Sequence, residues 1–275
     1  MKKTLLPYVL LSIIVTLGTL YYQRITGPTY EKEVDIEMNG ITYDFDLPRS
    51  HAISEPCLIK LNIPDRGIEA DIIFRRYPTN ENFISRTFER KEDTLVVELP
   101  NQPEAGKLEY NIIARTGNTN IPFMQDNNIV IRFKGHVPSL ILFIHVFLMF
   151  FAYFFAILAG MLAICNQRKF KKYSWITLIL IILGGLIFGP IVQKYAFGVY
   201  WSGIPYGTDL TDNKLLITFI AWLIAVLVNR KQDRRWWIVA ALAINLVVYT
   251  IPHSAMGSEF DYETGEVGTT DKFRD

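Results

Sequence analysis

The stretch SLILFIHVFLMFFAYFFAILAGMLAIC, residues 139–165, contains no charged side chain and a single histidine, His145. A helix crosses the hydrocarbon core of a bilayer with about 20 apolar residues, so this run is long enough to span one with tilt. Further apolar runs follow at 175–193, 215–228 and 236–251, and one precedes at 5–20. The last two are short, and reach roughly 17 residues only when 213–229 and 236–252 are counted, a length still tolerated where flanking side chains snorkel or the bilayer thins. Residues 28–137 are different in kind: charged, turn-rich and alternating in hydrophobicity. The chain is 50% hydrophobic and 20% charged, and the two populations are segregated along it.

Alternation marks strands with one buried and one wet face. Val34, Ile36 and Met38 alternate, as do Ile41, Tyr43, Phe45 and Leu47. The pattern recurs at 57–63, 68–74, 83–88, 95–99, 108–114 and 129–133. Turn signals separate these runs, among them Asn39-Gly40, Pro64-Asp65-Arg66-Gly67 and Gly117-Asn118. Seven or eight short strands at this spacing are the pattern of an immunoglobulin-like sandwich. The sequence Pro103 to Tyr110, after Leu99-Pro100, resembles the turn entering the sixth strand of fibronectin-type sandwiches. That resemblance implies a corner tyrosine at Tyr110, for which an ordinary core tyrosine is the alternative.

The expected organisation is a membrane protein with an N-terminal anchor helix (1–26), then an all-β immunoglobulin/fibronectin-like sandwich (27–137). An α-helical bundle of four transmembrane spans follows (138–252), with an outer loop at 194–214 and an acidic tail at 253–275. Residues 5–20 follow Lys2 and Lys3 as a secretory signal would. Thr19-Leu20-Tyr21-Tyr22 lacks a small-x-small cleavage site, so an uncleaved anchor is expected in preference to a cleaved signal.

Orientation follows from basic residues. Arg168, Lys169, Lys171 and Lys172 lie in one connection, and Arg230, Lys231, Arg234 and Arg235 in another. The positive-inside rule puts both, with Lys2 and Lys3, in the cytoplasm of a bacterial inner membrane. The sandwich, the loop 194–214 and the C-terminus then lie outside the cytoplasm. Cys57 and Cys165 fall on opposite sides and read as packed thiols. A formal net charge of +1 argues against nucleic acid.

Helix starts are expected at the capping residues Ser139, Ser174, Asp212 and Asp233. Gly185 and Gly189 form a small-xxx-small pair that permits close helix packing, and a kink is expected near Pro190. Candidate chemistry gathers at the outer rim. An ionisable residue within a span is a functional candidate by default, which singles out His145. Paired with His253 it would bind haem or a metal ion; with Asp209 and Asp212 it would make a mixed nitrogen and oxygen metal site. Against these stand simpler roles, a hydrogen bond to a neighbour for His145 and a helix cap for Asp212. No phosphate loop, His-Glu-x-x-His, Gly-x-Ser-x-Gly or Cys-x-x-Cys occurs, and the span centres carry no carboxylate, so neither hydrolase nor conventional transporter chemistry is indicated.

Residues 189–194, 201–214 and 251–259 resemble a group of uncharacterised bacterial polytopic membrane proteins with an extracytoplasmic β-sandwich. The resemblance implies architecture and carries no activity. Two functions remain. The first is a non-catalytic periplasmic surface, held at the lipid bilayer, that binds a partner protein or small ligand. The second is a membrane redox protein with haem or metal bound through His145 and His253.

Overall fold

The computed structural model describes residues 5–251 and 257–269. A long helix, α1 (Leu6–Thr26), precedes eleven strands: β1 (Lys32–Met38), β2 (Ile41–Leu47), β3 (Ser50–Ala52), β4 (Cys57–Asn62), β5 (Ile68–Arg76), β6 (Ile84–Thr87), β7 (Glu89–Lys91), β8 (Thr94–Leu99), β9 (Lys107–Thr116), β10 (Thr119–Pro122) and β11 (Ile129–Lys134). Strands form at all eight stretches where alternation calls for them. Three short ones, β3, β7 and β10, are additional.

The strands make three sheets. β1 pairs with β2, and β7 and β4 flank β8. The largest sheet runs β3-β11-β9-β5-β6, with β10 also on β9. Its long pairing of β5 with β9 sets Ile68 opposite Thr116 and Arg76 opposite Leu108. Inward residues of all three sheets, such as Phe45, Ile59, Ile72, Val97 and Phe133, belong to one apolar core. Tyr110 is fully buried in it. Its hydroxyl donates to the Pro48 carbonyl at 2.9 Å, far back in the chain, so it ties β9 to the β2–β3 connection and does not close its own turn as a corner tyrosine would.

The second half is helical: α2 (Ser139–Ile164), α3 (Phe170–Leu180), a π-helical segment (Ile181–Phe188), α4 (Gly189–Phe197), α5 (Leu210–Val228) and α6 (Arg235–Thr250). Four helical stretches are long and apolar enough to cross a membrane: Leu6–Thr26, Ser139–Ile164, the continuous Phe170–Phe197 and Leu210–Val228. The fifth expected span is shorter. At 16 residues, α6 is about 24 Å long. It stops where Ile251 turns extended, as a residue before proline favours. Side chains such as Leu10, Ile14, Leu140 and Phe143 are exposed on the outside of the helices. Such a surface suits lipid and not water.

The two basic connections meet at one end of the bundle. Lys171 Nζ lies 2.5 Å and Arg168 Nε 3.8 Å from the Asp233 carboxylate. Asp233 is therefore an ion-pair partner and not the expected cap, since Arg234 holds the N-cap position of α6. Ser174 is likewise inside its helix, which starts earlier, at Phe170, and its hydroxyl donates to the Phe170 carbonyl at 2.7 Å. Ser139 is the first residue of α2, after Pro138.

Next to Pro190, where a kink is expected, the helix changes type. Proline has no N–H to give the carbonyl four residues back. The Gly189 N–H bonds instead to Gly184 O, the i→i+5 pattern of a π-helix. Gly184 O also accepts from His145 Nδ1 at 2.9 Å.

Gly184 and Gly185 face different neighbours. A Cβ on Gly184 would lie 2.8 Å from Leu148 Cβ and 3.2 Å from the Met149 amide nitrogen, atoms fixed to the backbone of α2. A Cβ on Gly185 would meet the end of the Leu215 side chain, which can rotate away. Gly184→Ala is therefore expected to destabilise the bundle by about 1–3 kcal/mol, the usual cost of overpacking, and Gly185→Ala by clearly less. Thermal unfolding of both variants in detergent measures the difference.

Candidate functional site

Asp209 begins the site because it begins a helix. It is the N-cap of α5, its Oδ1 accepting from the Thr211 and Asp212 amides at 2.8 and 3.4 Å. Asp212, expected as the cap, lies one turn inside. Its Oδ2 is thereby released to accept from the Ser202 and Gly203 amides at 2.6 and 3.0 Å, and from Gln193 Nε2 of α4 at 3.1 Å. These bonds fold the loop between α4 and α5 back over the helices. The loop leaves α4 through Gly198 in the left-handed region, φ 78°, where glycine carries no steric penalty.

The remaining oxygen of Asp209 reaches the C-terminal segment. Oδ2 accepts from the Ser258 amide at 2.8 Å and from the Ser258 and Ser202 hydroxyls, each at 3.1 Å. The two hydroxyls are 2.8 Å apart. Residues 257–269, part of the expected acidic tail, thus form a hairpin seated on the site, with strands β12 (Ser258–Phe260) and β13 (Val267–Thr269). Ser258 and Glu259 are buried. Glu259 Oε1 pairs with Lys107 Nζ at 2.6 Å, and the Phe260 amide donates to Ala105 O at 3.2 Å. The Tyr262 hydroxyl accepts from the Lys107 amide at 2.9 Å and donates to the Lys107 carbonyl at 2.8 Å; burial raises its pKa to about 12. The hairpin therefore joins the strand region to the helices.

Arg132 of β11 completes the join. Its neighbours Ile131 and Phe133 point into the strand core, which aims Arg132 the other way. Its guanidinium lies 3.9 Å from the centre of the Phe197 ring and donates through Nη2 to the Ser258 carbonyl. Burial lowers its pKa to about 10, a fall that the nearby Asp209 and Glu259 charges restrain, so it stays charged at neutral pH. Its Nε has no hydrogen-bond partner among the described residues. At the end of α6, Lys214 Nζ and Gln23 Nε2 donate to Ile251 O at 2.9 and 3.1 Å, giving that carbonyl the partners a helix end lacks.

Below this polar layer lies a cavity of about 430 Å³. Every helical stretch except α3 contributes to its wall, including Leu20, Tyr153, Gly185, Gln193, Leu215 and Asn245. The charged residues on it, Arg132, Asp209, Asp212 and Lys214, are all at the strand end. The rest is mostly apolar, apart from His145, Thr218 and Asn245 among a few polar groups.

Of the residues singled out in the sequence, Asp209 and Asp212 share one hydrogen-bond network through Ser202. His145 lines the same cavity and is held by Gly184. His253 lies outside the described residues, and with it the proposed pair. No group of three or more His, Cys, Asp or Glu side chains suited to a metal ion occurs among the described residues. Arg132, Gln193, Lys214, Ser202 and Ser258 were not foreseen. Of these, only Lys214, a charge in the opening turn of an apolar run, left a signal in the sequence. Comparison with protein-family models, with curated proteins and with solved structures finds no match for the chain.

Asp209 caps α5 with one oxygen and fastens the hairpin with the other, and the two roles are separable. Asparagine is a good N-cap, but its single carbonyl oxygen serves only one of the two. Asp209→Asn is expected to leave helix content unchanged while making 257–269 markedly more sensitive to limited proteolysis. Asp209→Ala is expected to show that sensitivity together with a further loss of about 1 kcal/mol in thermal stability.

Proposed function

We propose that this chain is a non-catalytic membrane binding protein that holds a small amphipathic ligand in the cavity between its helices. The ligand's polar end meets Arg132, Gln193 and Lys214, and its apolar part extends along the helices. The supporting observation is the cavity itself: about 430 Å³, within the roughly 300–1,000 Å³ of small-molecule sites, with its charges confined to one end. This favours a small ligand over a docked partner protein. The strand region, read as an immunoglobulin/fibronectin-like sandwich, would stand outside the cytoplasm of a bacterial inner membrane and roof the cavity. The N-terminus would lie inside.

Native mass spectrometry of protein taken from membranes without delipidation tests the binding. A small molecule of defined mass is expected on the parent chain, and at least tenfold less of it on Val248→Trp and Leu215→Phe, which fill the cavity from α6 and α5. A parent chain that carries nothing above the bulk lipid background would overturn the proposal. Orientation has its own check: a reporter fused after Asp275 is expected to be active only outside the cytoplasm.

A further inference from the structure

We infer that the deep part of the cavity recognises an uncharged oxygen, a carbonyl or hydroxyl carried on the apolar body of the ligand. This rests on the cavity being a ligand site. Two side chains that line it are buried yet unsatisfied: Asn245 Nδ2 of α6 and Thr218 Oγ1 of α5 have no hydrogen-bond partner among the described residues. Asn245 is 2% exposed and Thr218 5%. Buried donors almost always have partners, and in an apolar bundle there is no bulk water to supply one. Thr218 lies about 13 Å along α5 from Asp209, so the polar layer at the strand end does not serve it.

The chemistry of the missing partner follows from what surrounds these atoms. The amide of Asn245 donates through Nδ2, so it calls for an acceptor. The charged lining residues belong to the strand end, and nothing at the depth of Thr218 and Asn245 on the cavity wall would neutralise an ion. An ionised group there would be desolvated without compensation, whereas a neutral oxygen would not. His145 adds the complementary atom. A carbonyl only accepts, so the bond to Gly184 O places the proton on Nδ1; the neutral ring then leaves a lone pair on Nε2. The lining residues thus carry the Asn245 amide donor, the Thr218 hydroxyl, which both donates and accepts, and the His145 acceptor, which suits a ketone, an ester or an alcohol better than a plain hydrocarbon chain.

The test uses three probes of equal chain length, a methyl ketone, the primary alcohol and the alkane, added to the full chain in nanodiscs. Bound probe is counted by native mass spectrometry. Comparing the ketone-to-alkane ratio between parent and variants at one lipid concentration cancels differences in partitioning. The parent is expected to favour ketone and alcohol over alkane at least tenfold, about the worth of one hydrogen bond. Asn245→Leu and the isosteric Thr218→Val are each expected to cut the ratio severalfold. Asn245→Leu should also raise the melting temperature of the probe-free protein, because it removes an unsatisfied amide, so loss of binding cannot be ascribed to unfolding. A parent that holds ketone no better than alkane overturns the inference and leaves the cavity reading intact. A parent that takes up none of the three overturns both.

Discussion

One carboxylate has two duties on which the join between the strand region and the helices depends. Asp209 Oδ1 supplies the acceptor that the first amides of α5 need, and Asp209 Oδ2 receives the backbone and hydroxyl of Ser258. Helix ends leave amides without partners, and away from water each unmet group is expensive. Fixing the start of α5 therefore also fixes the C-terminal hairpin, which in turn supplies partners for Arg132 and Lys107 of the strand region. The polar layer is less a collection of surface charges than a chain of mutual satisfactions, in which acids and bases are balanced and largely buried.

That layer makes the cavity beneath it possible. At the strand end the helices are linked through the α4–α5 loop, the hairpin and direct bonds such as that of Gln193 of α4 to Asp212 of α5. Lower down, small residues let the helices close: Ala156, Ala159 and Ala163 of α2 are buried with Trp222 and Ala225 of α5. The result is a compartment polar at one end and tight at the other. Among the described residues, the unsatisfied groups of residues on its wall are Thr218 Oγ1 and Asn245 Nδ2 in the deep part and Arg132 Nε at the strand end, while Thr16 Oγ1 and Trp222 Nε1 lack partners elsewhere in the bundle.

The strands were legible because alternation reports a face, and seven of the eight expected stretches have a buried side in the common core; in 83–88 the strand β6 is exposed throughout and only Phe88 reaches that core. β3, β7 and β10 were not, since three or four residues are too few to show a period. The long apolar runs announced the helices, but their ends depended on tertiary partners: Asp233 serves Lys171 in preference to a cap, and Asp212 yields capping to Asp209. Arg132 sits in an alternating strand at a position that period two assigns to solvent. Only the fold brings Phe197 and Ser258 over it. Ser258 and Glu259 read as part of a charged tail for the same reason, because their partners lie more than a hundred residues away or in a loop with no regular pattern.

The π-helical segment has a consequence for the geometry of the site. A turn with one residue more than an α-helix shifts the angular phase of everything after it, by about 100° for each inserted residue. Gln193 is aimed at Ser202 and Asp212 by that offset. Losing one residue between Ile181 and Phe188 would restore a regular helix and swing Gln193 toward a different neighbour, although no atom of the polar layer had been altered. The alignment of this layer is thus recorded in the pitch of a segment with no charged side chain.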